Sequence, residues 1–201
     1  TIDFTNEIKP IDNETHFYLN ITRDIKEFFA RFDDYFSIEK KILFECELGK
    51  IVEKSGTLTN IYRKGVRCYE TKLISIFDYD FKDLDISESR IALYSWEIQE
   101  KIWDLIFRCD NEDVIKKIIF NCADRNSIEG ELTDIATISA SHASKVFINF
   151  IKSVNIVPRE FAGLLKQDEV HNHVELPLRV FNAVRSIVGD ENVAKKFQLS
   201  N

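Results

Sequence analysis

Glycine and proline are scarce in this chain. There are six and three of them in 201 residues, and the closest pair of glycines, Gly49 and Gly56, stands seven positions apart. Phosphate-cradling loops and dinucleotide-binding turns need glycines only a few positions apart, so both are excluded. The shortage of turn-forming residues favours long helices with few breaks. Methionine is absent, which leaves either a processed chain or a helical module cut from a larger protein. No apolar run approaches the ~18 residues that a membrane-spanning helix requires. The opening "TIDFTNEIKP" lacks the positive segment and apolar segment of a signal peptide. A cytoplasmic protein without a membrane partner is the expectation, and the N-x-T matches at Asn13 and Asn20 read as chance in that setting. Zincin, nucleophile-elbow and EF-hand patterns are missing as well.

The four cysteines, Cys46, Cys68, Cys109 and Cys122, are spaced without any C-x-x-C. Each lies among apolar residues. Buried free thiols in a reducing compartment fit this pattern better than a disulfide framework or a zinc site.

What the chain has in quantity is phenylalanine, 16 copies, and negative charge. Large aromatics fill cores and also anchor interfaces; a composition rich in Phe, Ile, Lys and Asn explains the same number without any function. The net charge is −7. Residues 1–100 hold 14 Lys and Arg against 20 Asp and Glu, a net of −6, and the remainder holds −1. An acidic protein repels phosphate backbones, so nucleic acid is an improbable partner. The pairs Lys116–Lys117 and Lys195–Lys196 are too short to count as basic patches. No cofactor is implied.

Periodicity predicts a mainly α fold. Ile21, Ile25, Phe28, Phe29, Phe32 and Phe36 recur at steps of three and four, an amphipathic helix over 17–36. Residues 40–82 are ambiguous. "ILFECELG" alternates with period two, and "KSGT" and "RKGV" read as turns, so a small antiparallel meander is expected within about 41–77. A helix pair is the alternative there. Beyond a linker at 78–88, a helical bundle is expected over about 87–201. Asp85, with Glu88 three residues on, is expected to cap its first helix, Asn111 starts the second, a third runs over 131–153, and Pro158 and Pro177 open two more. "DENVAKKFQL" forms the last. The whole reads as one domain, with a subdivision at 86/87 as a variant of that reading.

Two stretches carry chemistry. "DYDFKDLDISE" mixes carboxylates with aromatics, and Asp78, Tyr79, Asp80, Phe81, Asp83 and Asp85 are candidate anchors for a protein with a basic surface. Aromatic anchors in an acidic field bind well and steer association; a solvated linker is the plainer reading. "DEVHNHVE" supplies nitrogen and oxygen ligands suited to Zn²⁺ or Mn²⁺. On a strand, His171, His173 and Glu175 would share one side, with Asp168, Glu169, Asp124 or His142 as further donors; a polar interhelical loop is the alternative. His142 otherwise reads as a hydrogen-bonded core residue facing Ile135, Ile138 and Val146. Taken together, a protein–protein interaction protein (adaptor, inhibitor or immunity type) presenting an acidic, aromatic surface is expected. A metal-dependent hydrolase or nuclease at 168–175 is the second reading.

Overall fold

β-Branched and aromatic residues between positions 42 and 81 build a five-stranded mixed sheet, and this corrects the expectation of a mainly α, bundle-like protein. In the computed structural model, residues 20–122, 126–130, 142–160 and 173–188 are described. They divide into two compact units, Thr1–Phe32 and Asp33–Asn201.

In the first unit, α1 (Arg23–Ala30) starts at Thr22, whose hydroxyl accepts from the Ile25 N–H at 3.3 Å, as an N-cap should. Phe28, Phe29 and Phe32 cluster, with ring centroids 5.5–6.5 Å apart. The helical period expected over 17–36 is interrupted at Arg31, and α2 (Phe32–Tyr35), one short turn, falls mostly in the second unit.

In the second unit, the strands are β1 (Ile42–Glu45), β2 (Gly49–Glu53), β3 (Thr59–Arg63), β4 (Val66–Thr71) and β5 (Phe77–Phe81), in the order β1-β2-β5-β3-β4. The meander is therefore incomplete as an account. β3 pairs with β4 antiparallel, but β5 inserts between β2 and β3 and runs parallel to β3. The β3–β4 turn has only Lys64 and Gly65 between its ends, at φ 51° and 86°. Two successive positive φ values make a hairpin whose twist matches its strands.

Phe77, Tyr79 and Phe81 alternate along β5 and enter the main core with Ile51, Ile61 and residues of α3 (Ser95–Arg108), among them Ile98, Ile102 and Trp103. α4 (Glu112–Asn121) begins at Asn111, whose side chain accepts from Val114 N–H at 3.3 Å. α5 (Lys145–Ser153) is capped by Ser144 in the same way. β6 (Ile156–Pro158) pairs parallel with β7 (Val174–Leu176), so Pro158 ends a strand, and a 3₁₀ turn begins at Arg159 and Glu160 directly after it. α6 (Leu178–Val188) does follow Pro177. The helical stretch expected over 131–153 is described only from residue 142 onward, and "DENVAKKFQL" lies outside the described residues. No helix among the described residues is long and apolar enough to cross a membrane.

Candidate functional site

β5 holds four of the six candidate anchors, and it is the central strand. Asp78, Tyr79, Asp80 and Phe81 are all buried, whereas Asp83 and Asp85 are exposed. Tyr79 and Phe81 face the helices. Asp78 and Asp80 face the other side of the sheet, which the segment 33–40 crosses. Lys40 Nζ lies 2.8 Å from Asp78 Oδ2, and Ser37 Oγ donates to Asp80 Oδ2 at 2.6 Å. The parallel β3–β5 ladder has only three residue pairs, and the carboxylates serve the backbone at its ends. Asn60 N–H donates to Asp78 Oδ1 at 2.8 Å and Gly65 N–H to Asp80 Oδ1 at 3.1 Å. These acids hold the sheet together from inside, and all four residues are buried.

Lys40 also donates to Ser55 Oγ, which resembles a serine–lysine nucleophile pair only in composition. An ammonium tied to a buried carboxylate is no base for the hydroxyl, and Ser55 Oγ in turn donates to the Asp33 carbonyl at 3.1 Å.

A third buried carboxylate had no mark in the sequence. Glu129, in the short 3₁₀ turn Ile128–Gly130, is fully enclosed. Its Oε1 accepts from Ser75 Oγ and Tyr79 OH, each at 2.5 Å, and its Oε2 from Ser127 Oγ at 2.6 Å. Its backbone carbonyl accepts from Trp103 Nε1 at 2.9 Å. The side chain is saturated by neutral donors, which is how a buried carboxylate becomes tolerable. Burial and the Glu129 charge together push the Tyr79 hydroxyl well above its usual range.

The "DEVHNHVE" cluster is described only in part. His171, Asp168, Glu169 and Asp124 lie outside the described residues. His173 Nε2 approaches Glu175 Oε1 at 3.5 Å on either side of Val174, at the start of β7. Among the described residues no three His, Cys, Asp or Glu side chains converge as a metal-ligand set. His142 is exposed just before α5 and is not a core histidine.

Between the sheet and α4 lies an open cleft of about 930 Å³ lined by Lys41, Lys54, Lys116 and Lys117 with Glu53 and Asp113. Ile76 and Phe120 stand exposed at it. Lys54 donates to the Ser75 carbonyl at 2.7 Å, and burial lowers its pKa against the opposing pull of Asp78 and Glu129. The Lys116–Lys117 pair thus belongs to a four-lysine cleft that its own brevity in sequence concealed.

Exposed acids and exposed aromatic rings occur together farther along the chain. After β5 the chain folds back on itself as a loop over 84–93. Ile86 bridges Ala92, Ser87 N–H donates to the Ile91 carbonyl at 2.8 Å, and Leu93 N–H donates to the Asp85 carbonyl at 3.0 Å. This sets an acidic arm with exposed Asp83, Asp85 and Glu88 beside an apolar arm. On that arm Ile91 is 58% exposed, Leu93 51%, Tyr94 48% and Trp96 49%. The Tyr94 and Trp96 rings lie 5.6 Å apart. The loop also explains why α3 starts at Ser95 and not near residue 87: the intervening backbone is committed to turns and bridges.

All four cysteines are free thiols; Cys46 is half-buried and the others are enclosed. Burial pushes Cys68 and Cys109 up to about 11 from an ordinary 9.0, and Cys122 well above it. One thiol is therefore expected to react with a disulfide reagent in the native protein, and four in denaturant. The pH dependence follows from the sign of the shift. The unfolded chain loses these protons first, so stability is full below about pH 9 and falls as pH rises towards about 11. Buried Tyr62 and Tyr79, also shifted upward, act in the same direction. A urea midpoint that stays level across this range would contradict the enclosure of the thiols.

Comparison with family models, curated proteins and solved structures finds no match to this chain.

Proposed function

We propose that the chain is a protein-interaction module whose contact surface is the 83–96 loop. One observation carries this reading: four large apolar side chains, Ile91, Leu93, Tyr94 and Trp96, are about half exposed in one short stretch that the Leu93–Asp85 hydrogen bond holds beside exposed carboxylates. Scattered exposed apolar residues are ordinary; a run of them rimmed by charge marks a contact site. Tyr and Trp are the side chains most often found as binding anchors. Exposed Asp83, Asp85 and Glu88 select a partner with a cationic rim around an apolar groove, by charge complementarity.

A photo-crosslinking residue at position 94, in the full chain and its native host, is expected to trap one protein with a basic contact surface. The same residue at position 120, in the lysine-lined cleft, should not trap it. With that protein purified, Trp96→Ala is expected to weaken binding by about 2 kcal/mol or more, roughly 30-fold. It should leave the urea midpoint almost unchanged, because the ring is half in water. Asp83→Lys with Asp85→Lys should slow association. The reading fails if positions 94 and 120 trap the same proteins, or if neither the ring nor the charges affect the complex.

A further inference from the structure

A recess of about 370 Å³ at the outer edge of the sheet is lined by Arg63, Lys64, Arg67 and Arg90, with Val66, Cys68 and Ile86, and by no carboxylate. Four cations gathered in a protein of net charge −7 repel one another, and something must offset that. The recess lies between the β3–β4 turn and the 84–93 loop, which are joined where Ala92 N–H donates to the Cys68 carbonyl at 3.0 Å.

The surrounding groups leave most of this charge unmet. Arg67 is engaged: it pairs with Glu70 at 2.8 Å, lies over the Tyr35 ring at 4.4 Å and donates to Asn60 Oδ1 at 3.4 Å. Arg63, Lys64 and Arg90 form no side-chain ion pair among the described residues, and the Arg63 Nε is buried without a hydrogen-bond partner. Two carboxylates act on Cys68 from farther off, Asp80 and Glu97. Asp80 is occupied by Ser37 and Gly65, and Glu97 takes the Asp85 N–H and pairs with Lys101 through Oε1, while its Oε2 is buried without a hydrogen-bond partner and does not line the recess. Backbone conformation adds a separate sign. Among the described residues only two that are not glycine have positive φ, Lys64 at 51° and Arg90 at 60°, and both line this recess. Sparsely populated backbone conformations persist where the surrounding structure imposes them, and they gather at ligand sites.

We propose that the recess binds a phosphate monoester dianion. Guanidinium groups match the phosphate oxygens in pairs and stay charged at every working pH. The volume holds a phosphoryl group and a small organic remainder, at the lower end of the ~300–1,000 Å³ of small-molecule sites. The surrounding negative field works against an extended polyanion such as nucleic acid and leaves a compact dianion favoured.

The test is calorimetric titration of the full chain with phenyl phosphate, inorganic phosphate and dimethyl phosphate. Phenyl phosphate and inorganic phosphate are expected to bind one to one below about 1 mM, and dimethyl phosphate, a singly charged diester, about tenfold more weakly or worse. Preference between the first two separates an ester ligand from free phosphate. Arg63→Gln and Arg90→Gln should each weaken binding about tenfold or more, and Lys116→Gln in the lysine cleft should change nothing. Phosphate should also raise the melting temperature above that in chloride at equal ionic strength, and Arg90→Gln should abolish the rise. Arg90 is exposed on a loop, so that variant serves even if Arg63→Gln does not fold. Absence of saturable binding up to about 10 mM, equal weakening by Lys116→Gln, or equal binding of dimethyl phosphate overturns the assignment. None of these variants touches Tyr94 or Trp96, so this result and the partner surface stand or fall separately.

Discussion

Gly49→Ala is expected to cost about 4 kcal/mol or more, enough to unfold a protein of ordinary stability. A Cβ at position 49 would stand 2.3 Å from the Asp80 carbonyl oxygen and 3.0 Å from Phe81 Cα. Both atoms are backbone of the central strand, so neither swings aside. Gly49 opens β2 directly opposite Phe81, and relieving the clash means parting β2 from β5. Gly56→Ala is the useful contrast. Its φ of 74° penalises a side chain, but the space is open apart from Asp34 Oδ1 at 3.2 Å, so the loss there should be about 1–2 kcal/mol. Urea unfolding of both variants decides. Equal, small losses would mean that β2 and β5 are not packed this closely.

The second large effect is Asp78→Ala, expected to cost about 3–5 kcal/mol, because it leaves the Lys40 ammonium buried without its counter-charge. Both side chains are almost wholly enclosed. Asp78→Leu combined with Lys40→Met should recover part of this loss, since an apolar pair replaces an ion pair without a desolvation cost. Recovery is incomplete because the Asn60 N–H still loses its acceptor. Asp80→Ala should cost less, about 1–3 kcal/mol, as its partners are a neutral hydroxyl and a backbone N–H. Chemical denaturation of the three variants tests the order. If Asp78→Ala is no worse than Asp80→Ala, the buried pair is not what secures this face of the sheet.

The mainly α expectation fails at β5 for a physical reason. "FDYDF" alternates with period two, the mark of a strand, yet its carboxylates argued for solvent and a linker. What makes Asp78 and Asp80 interior residues is remote. Lys40 lies 38 positions from Asp78, and Asn60 and Gly65 lie 18 and 15 positions from the acids they serve. The same blindness hid Glu129, whose hydroxyl donors Ser75 and Tyr79 lie 54 and 50 positions away in the chain. By contrast, α4 and α6 were legible. Asn111 caps the one with its side chain, three residues away, and Pro177 precedes the other with its restricted backbone, so each signal is local. The β3–β4 turn at "RKGV" was legible for the same reason.

By itself, the sequence determined what acts over a few residues: the cap at Asn111, the Lys64–Gly65 turn and the helix after Pro177. Only the tertiary structure decided which acids are buried and which meet water, where the aromatic rings stand exposed, and which cations share a recess. Backbone torsions and local hydrogen bonds are properties of neighbouring residues. The burial of a charge depends on donors brought from elsewhere in the chain, and only folding brings them.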